Sequence, residues 1–152
     1  MKSRLRGAIY HHKNLVYHNG VVGKKYLILL NSPEKDDPYL FLKTTSQQKD
    51  KPLKPGCIKE RSIFFIPKNT MPVFFLDTWI QLHEIYEFSP DVIGNNRDIT
   101  HKGSLNTKAI DDVVNCLFDS EEKNISGFHK NLLRPPLQAS LLKLQEKFNR
   151  KN

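Results

Sequence analysis

The sequence predicts a mainly β domain followed by two helices. Three observations carry this expectation. Short β-rich apolar runs are punctuated by Gly and Pro, two of them between Gly20 and Gln48 form a hairpin pattern, and helical apolar spacing begins only beyond Gly103.

In chain order, Gly7-Ala8-Ile9-Tyr10 opens a first strand that continues through Leu15-Val16-Tyr17. Between them His11-His12-Lys13-Asn14 reads as a bulge or a turn. Adjacent histidines on a strand point to opposite faces, so His11 and His12 make a poor metal pair. His18-Asn19-Gly20 is a turn signal, because Asn-Gly tolerates positive φ. Residues 26–30, framed by Gly23-Lys24-Lys25 and Asn31-Ser32-Pro33, read as a buried strand. Residues 38–43 read as its hairpin partner, ending in Thr44-Thr45-Ser46-Gln47-Gln48. Antiparallel pairing sets the start of one strand beside the end of the next, so Lys24 and Lys25 should meet residues 44–48 at one rim.

Residues 49–59, with Pro52, Pro55 and Gly56, read as a loop long enough to act as a flap beside that rim. Residues 62–66 form a short strand, 67–70 a turn, and Phe74-Phe75-Leu76 a half-buried segment. Residues 78–88 form the next strand, with Ile80, Leu82 and Glu84 on one face and Trp79, Gln81, His83 and Ile85 on the other. Residues 90–103 read as loop. Ser104 or Asn106 caps a helix carrying Ile110, Val113, Val114, Leu117 and Phe118 at i, i+3, i+4, i+7, i+8 spacing, stopped at Gly127 and the turn before it. Pro135-Pro136 starts a last helix with Leu137, Leu141, Leu144 and Phe148 on one side. The implied division is a β domain with its C-terminal helix over 1–126 and a basic helical extension over 127–152.

The 152 residues suit one domain with a true core, and 26% charged with 10% aromatic residues describe a globular chain. A net charge of +8 favours an anionic partner, nucleic acid before a membrane surface. Beyond residue 127 six basic residues face Glu146 alone, so most of the excess lies outside the β region. Cys57 and Cys116 could pair, but they form no disulfide framework or CxxC metal site, and they read as two free thiols. The basic N-terminus lacks a following apolar stretch and no apolar run can span a bilayer, so a soluble, cytoplasmic protein without a membrane partner is expected.

The order of motifs resembles the MazF/PemK (Kid) toxin family over roughly residues 7–120. Gly7-x-Ile9 opens the first strand. Gly23-Lys24-Lys25-Tyr26 stands where that family has Gly-x-Arg-Pro, and Asn31-Ser32-Pro33 closes the strand after it. Thr44-Thr45-Ser46-Gln47 stands at the family's Thr motif, and residues 78–85 stand at its later strand. Four positions depart from the pattern. Ala8 replaces an Asp, Lys25 an Arg, Tyr26 a Pro, and His83 an acidic residue.

The resemblance implies a small SH3-like barrel of the MazF/PemK/CcdB type, a homodimer, and a toxin neutralised by a cognate antitoxin. It implies metal-independent cleavage of single-stranded RNA with no cofactor. In that chemistry the 2′-OH attacks the adjacent phosphate, which needs a base for the hydroxyl, an acid for the leaving 5′-oxygen and cations for the developing charge. Carried over residue by residue, the catalytic set is Lys25, Thr44, His83 and His18, and the RNA-binding set is Lys24, Thr45, Gln47 and Gln81. Lysine is a point charge without the bidentate fork of arginine, so Lys25 is not a conservative replacement. His83 and His18 offer side chains that titrate near neutrality. The rival reading is the same barrel with a disabled site, holding RNA or a protein.

Overall fold

The computed structural model describes residues 5–133. They form seven strands and three helices: β1 (Ala8–Val16), β2 (Val22–Leu29), β3 (Tyr39–Thr45), β4 (Gly56–Ile58), β5 (Ile63–Ile66), β6 (Thr78–Phe88), α1 (Pro90–Asn95), β7 (Ile99–Ser104), α2 (Thr107–Glu121) and α3 (Gly127–Leu133). All strands belong to one antiparallel sheet in the order β4-β5-β6-β3-β2-β1-β7. The two outer strands, β4 and β7, do not pair with each other, so the sheet is open. The mainly β expectation holds at that level. The helix expected from Pro135 onward lies outside the described residues.

Both faces of the sheet are covered, which explains why β2 and β3 read as continuous apolar runs rather than alternating ones. Ile9, Ile28, Leu40, Leu42, Ile80 and Leu82 point to the face covered by α2, where they meet Ile110, Val113, Val114 and Leu117. Tyr10, Leu27, Leu29, Tyr39, Phe41 and Tyr86 point to the other face and pack with Ile93 of α1 and Ile99 of β7. A third cluster, Ile58, Ile63, Phe65 and Trp79, closes the β4–β5 end. The helix spacing in α2 therefore faces the sheet as read, and Asn106 rather than Ser104 caps it, its side chain accepting from the Ala109 amide. Leu133 of α3 joins the α2-side core.

Several expectations are corrected. Cys57 and Cys116 form a disulfide joining β4 to α2 across a 59-residue separation, with Cα atoms 5.6 Å apart. Their spacing hid this because only the tertiary fold lays α2 against the β4 edge. Residues 90–103, read as loop, contain α1 and all but the last residue of β7. Ser89 caps α1 by accepting from the Val92 amide, and Pro90 starts it, a pattern obscured by surrounding polar residues. Residues 49–59 include β4. The second helix ends at Glu121, earlier than Gly127, which instead begins α3. Phe74 is buried, whereas Phe75 and Leu76 are exposed, so that segment is not uniformly half-buried.

The face assignment along β6 also changes midway. Leu42 pairs with Ile85 but Thr44 pairs with Ile80, so a bulge in β6 absorbs extra residues opposite Lys43. Ile85 consequently packs with Ile80 and Leu82, and Glu84 turns to the Tyr86 side. Strict period-two reading of the strand could not find this, because the bulge is set by its partner. Among the described residues, no helix is long and apolar enough to cross a membrane.

Candidate active site

The β1–β2 turn sets the first functional side chain. Gly20 takes φ of 87°, its amide donates to the Tyr17 carbonyl at 2.9 Å, and the Tyr17 amide donates to the Val21 carbonyl at 2.8 Å. This tight reversal carries His18 over the far end of β6. There the His18 Nδ1 lies 3.4 Å from Glu84 Oε2, and the His18 ring packs tilted against Tyr86 with centroids 4.4 Å apart. His83 Nε2 lies 3.8 Å from the other oxygen of the same carboxylate. The bulge in β6 makes this possible, since it brings adjacent residues His83 and Glu84 to one rim.

Two more groups converge on Glu84. Lys43 Nζ lies 3.6 Å from Oε2, and the Tyr86 hydroxyl donates to Oε2 at 3.3 Å. Burial first, then the Glu84 charge, push the Tyr86 phenol up to about 12, so it stays a donor. Lys43 also lies over the Tyr17 ring at 4.6 Å, and Lys25 lies over the same ring at 5.8 Å. Lys25 thus joins the cluster through Tyr17. Burial, then the charges of Lys43 and Lys51, hold its ammonium below the ordinary lysine range. Gly23 is required here, because a Cβ at that position would collide with the Tyr17 hydroxyl.

His18, His83 and Glu84 border a cavity of about 270 Å³ with Glu121 and His129. The Ser62 hydroxyl, donating at 2.6 Å, holds the Glu121 carboxyl below its usual range, assisted by Asn124 and the His83 charge against the effect of burial. His129 pairs with Glu87 at 3.0 Å and borders the cavity from α3.

Lys25 and Thr44 do meet at one rim, where both border a second cavity of about 320 Å³ with Lys24 and Thr45. Their side chains nevertheless leave opposite faces of the sheet. Thr44 shares the face of Leu42, and its hydroxyl donates to the Tyr26 carbonyl at 3.0 Å. Lys25 shares the face of Leu27 and Tyr17. Carrying the Leu27–Lys43 register two residues further sets Lys25 across from Thr45. Thr45 is therefore the hydroxyl on the Lys25 side, and its Oγ1 accepts from the Gln47 amide at 3.2 Å. The Gln47 carbonyl accepts from Lys51 Nζ at 2.9 Å, which keeps that ammonium near Lys25. Gln81 is half-buried opposite Ile63 and borders neither cavity.

Residue-level reading of the sequence missed Tyr17, Lys43 and Glu84 as site members. Lys43 carried a usable signal, as the lone charge in a strand that is apolar on both faces. Glu84 carried none, since its side depends on the bulge. Comparison with protein-family models finds no match, and comparison with curated proteins finds none either.

Proposed function

We propose that the chain is a metal-independent endoribonuclease that cleaves single-stranded RNA by attack of the 2′-OH on the adjacent phosphate. The observation that carries this reading is the approach of His18 and His83 to the two oxygens of one carboxylate, beside Lys43. Two imidazoles flanking one phosphate can divide the proton transfers. The neutral ring accepts the 2′-OH proton, and the protonated ring donates to the leaving 5′-oxygen. Glu84 orients both rings. Lys43 and Lys25 supply positive charge for the phosphorane.

A toxin role, a cognate antitoxin, a homodimer and an SH3-like barrel belong to the same proposal, through the resemblance of residues 7–120 to the MazF/PemK family. A cytoplasmic setting was expected with it. The Cys57–Cys116 bond weighs against that setting, because reducing compartments keep such pairs as thiols.

A second reading is favoured by Thr44 and Glu121. The Thr44 hydroxyl is committed to a backbone carbonyl, and Glu121 adds a second carboxylate to the histidine cavity, which opposes a phosphate there. On that reading the domain binds RNA or a protein and does not cut.

Incubation with single-stranded RNA in EDTA separates the two. The nuclease reading expects cleavage to persist and products to end in 2′,3′-cyclic phosphate. Loss of cleavage on chelation removes the mechanism, and binding without cleavage selects the second reading.

A further inference from the structure

The cavity at the β2–β3 rim has a floor and a wall of different character. Its floor is aromatic: His11 meets Tyr26 edge-on at 5.0 Å, and Tyr26 meets Phe74 edge-on at 5.8 Å. Its wall is the segment after β5, where Phe75 is 76% exposed and Leu76 65% exposed directly beside the buried Phe74. An apolar ring left in water at the mouth of a cavity points to an apolar ligand face.

That segment is held rigidly, and at a cost. The Asn69 amide donates to the Phe74 carbonyl at 3.0 Å, the Lys68 amide donates to Asp77 Oδ1 at 2.9 Å, and the Thr78 hydroxyl donates to the Leu76 carbonyl at 2.9 Å. Val73 sits at φ of 79°, a conformation that a β-branched residue very rarely adopts. The strain is tolerated because Val73 packs over Gly103 of β7, where an added Cβ would come within 2.9 Å of Val73 Cγ2. This kink drives Phe74 inward and leaves Phe75 outward. Backbone strain of this kind persists where surrounding contacts over-determine it, and it clusters at ligand clamps.

The approach to the cavity is basic. Lys24 borders it, and the charges of Lys102, Lys24 and Lys13 act on His11 in its floor. An aromatic platform flanked by ammonium groups suits a flat base attached to a phosphodiester. A volume of about 320 Å³ lies at the small end of ligand sites, room for a single unpaired base.

We propose that this cavity is a base-stacking subsite for one nucleotide of single-stranded RNA, with Phe75 stacking on the base and Lys24 taking the neighbouring phosphate. The cavity sits at the rim itself, bordered also by Lys25 and Thr45 but not by Tyr17, Lys43 or Glu84, so it grips RNA beside the Tyr17–Lys43–Glu84 cluster rather than at it. It rests on the nuclease reading only for the identity of the polymer.

The test uses the full chain and a short, fluorescein-labelled 2′-O-methyl RNA oligonucleotide, whose blocked 2′-oxygen makes binding readable without cleavage. Phe75→Ala should weaken binding about 5- to 100-fold, and Phe75→Trp should restore it. Lys24→Ala should flatten the slope of log K against log salt by about 0.7. Gly103→Ala, which displaces Val73 without touching ligand, should weaken binding in the same direction. Phe128→Ala removes another exposed ring, on α3, and should change nothing. Phe75 is exposed, so an unchanged thermal midpoint in Phe75→Ala is expected and checks folding. Wild-type affinity in Phe75→Ala, or full recovery by Phe75→Leu, overturns the stacking subsite. Equal weakening by Phe128→Ala overturns it too, as nonspecific apolar adhesion. Cleavage of unmodified RNA is scored separately: Phe75-dependent binding by a protein that cuts nothing keeps the subsite and sinks the nuclease.

Discussion

Tyr17 lies against a glycine and beneath two ammonium groups, and that contact decides whether Lys25 belongs to the site. Gly23 leaves room for the ring, the ring carries Lys25 and Lys43, and Lys43 reaches Glu84. If the cluster is catalytic, Lys25→Ala and His83→Ala should each slow RNA cleavage by about 10²–10⁴-fold, the range for lost charge stabilisation or proton transfer. Single-turnover rates check this, with circular dichroism to show that both variants stay folded. Lys25→Arg should keep or raise the rate, since guanidinium grips a phosphate better than ammonium does. His11 gives a separate prediction. Burial first, then Lys102, Lys24 and Lys13, hold its pKa below 6.5. Between that lowered value and 6.5 the unfolded chain binds more protons than the folded one. Stability should therefore rise with pH across that window and level off above it. Urea midpoints measured through the acid range should show the rise, and His11→Gln should reduce it. An unchanged slope in that variant would assign the pH dependence to other groups.

At the scale of elements, β4 is the weak member. It has three residues, it lies at the sheet edge, and its partner β5 has only four. The disulfide to α2 and the Trp79 indole, which donates to the Pro52 carbonyl at 3.0 Å, hold this end together. Replacing both cysteines, Cys57→Ser with Cys116→Ala, should lower stability by about 2–4 kcal/mol, the usual effect of removing a long-range bridge. Urea unfolding against the oxidised wild type checks this, and coincident midpoints would show that the edge holds without the bridge. The loop before β4 borders the Lys25 rim through Lys51, so cleavage should respond as well if that loop helps to close over RNA.

For the whole molecule, the stretch beyond residue 134, which lies outside the described residues, sets Lys143, Lys147, Arg150 and Lys151 against Glu146 alone. The sequence pattern there has leucines on one side and Lys143, Lys147 and Arg150 on the other. Removing residues 135–152 should weaken RNA binding and flatten its salt dependence while the sheet stays folded, since each lost phosphate contact lowers the slope. Fluorescence anisotropy at several salt concentrations reads this directly. An unchanged slope would exclude the tail from nucleic-acid contact. A changed molecular mass in solution would make its apolar side an assembly surface.

Local chemistry was legible in the sequence wherever one segment determined its own state. Asn19-Gly20 made the turn, residues 26–29 of the expected strand fell within β2, Asn106 capped α2, and the α2 stripe found the core, because each depends on neighbours within a few residues. The meeting of Lys24 and Lys25 with Thr44 and Thr45 at one rim also followed, from antiparallel pairing alone. Which side chains share a face did not follow. Thr44 and Lys25 part company because alternation sends them to opposite faces. Glu84 joins His18 and His83 because a bulge in β6, imposed by pairing with β3, shifts the alternation there. Cys57 finds Cys116 only after α2 is laid against the β4 end of the sheet. Faces, bulges and cross-links depend on partners distant in sequence, and only the tertiary structure decides them.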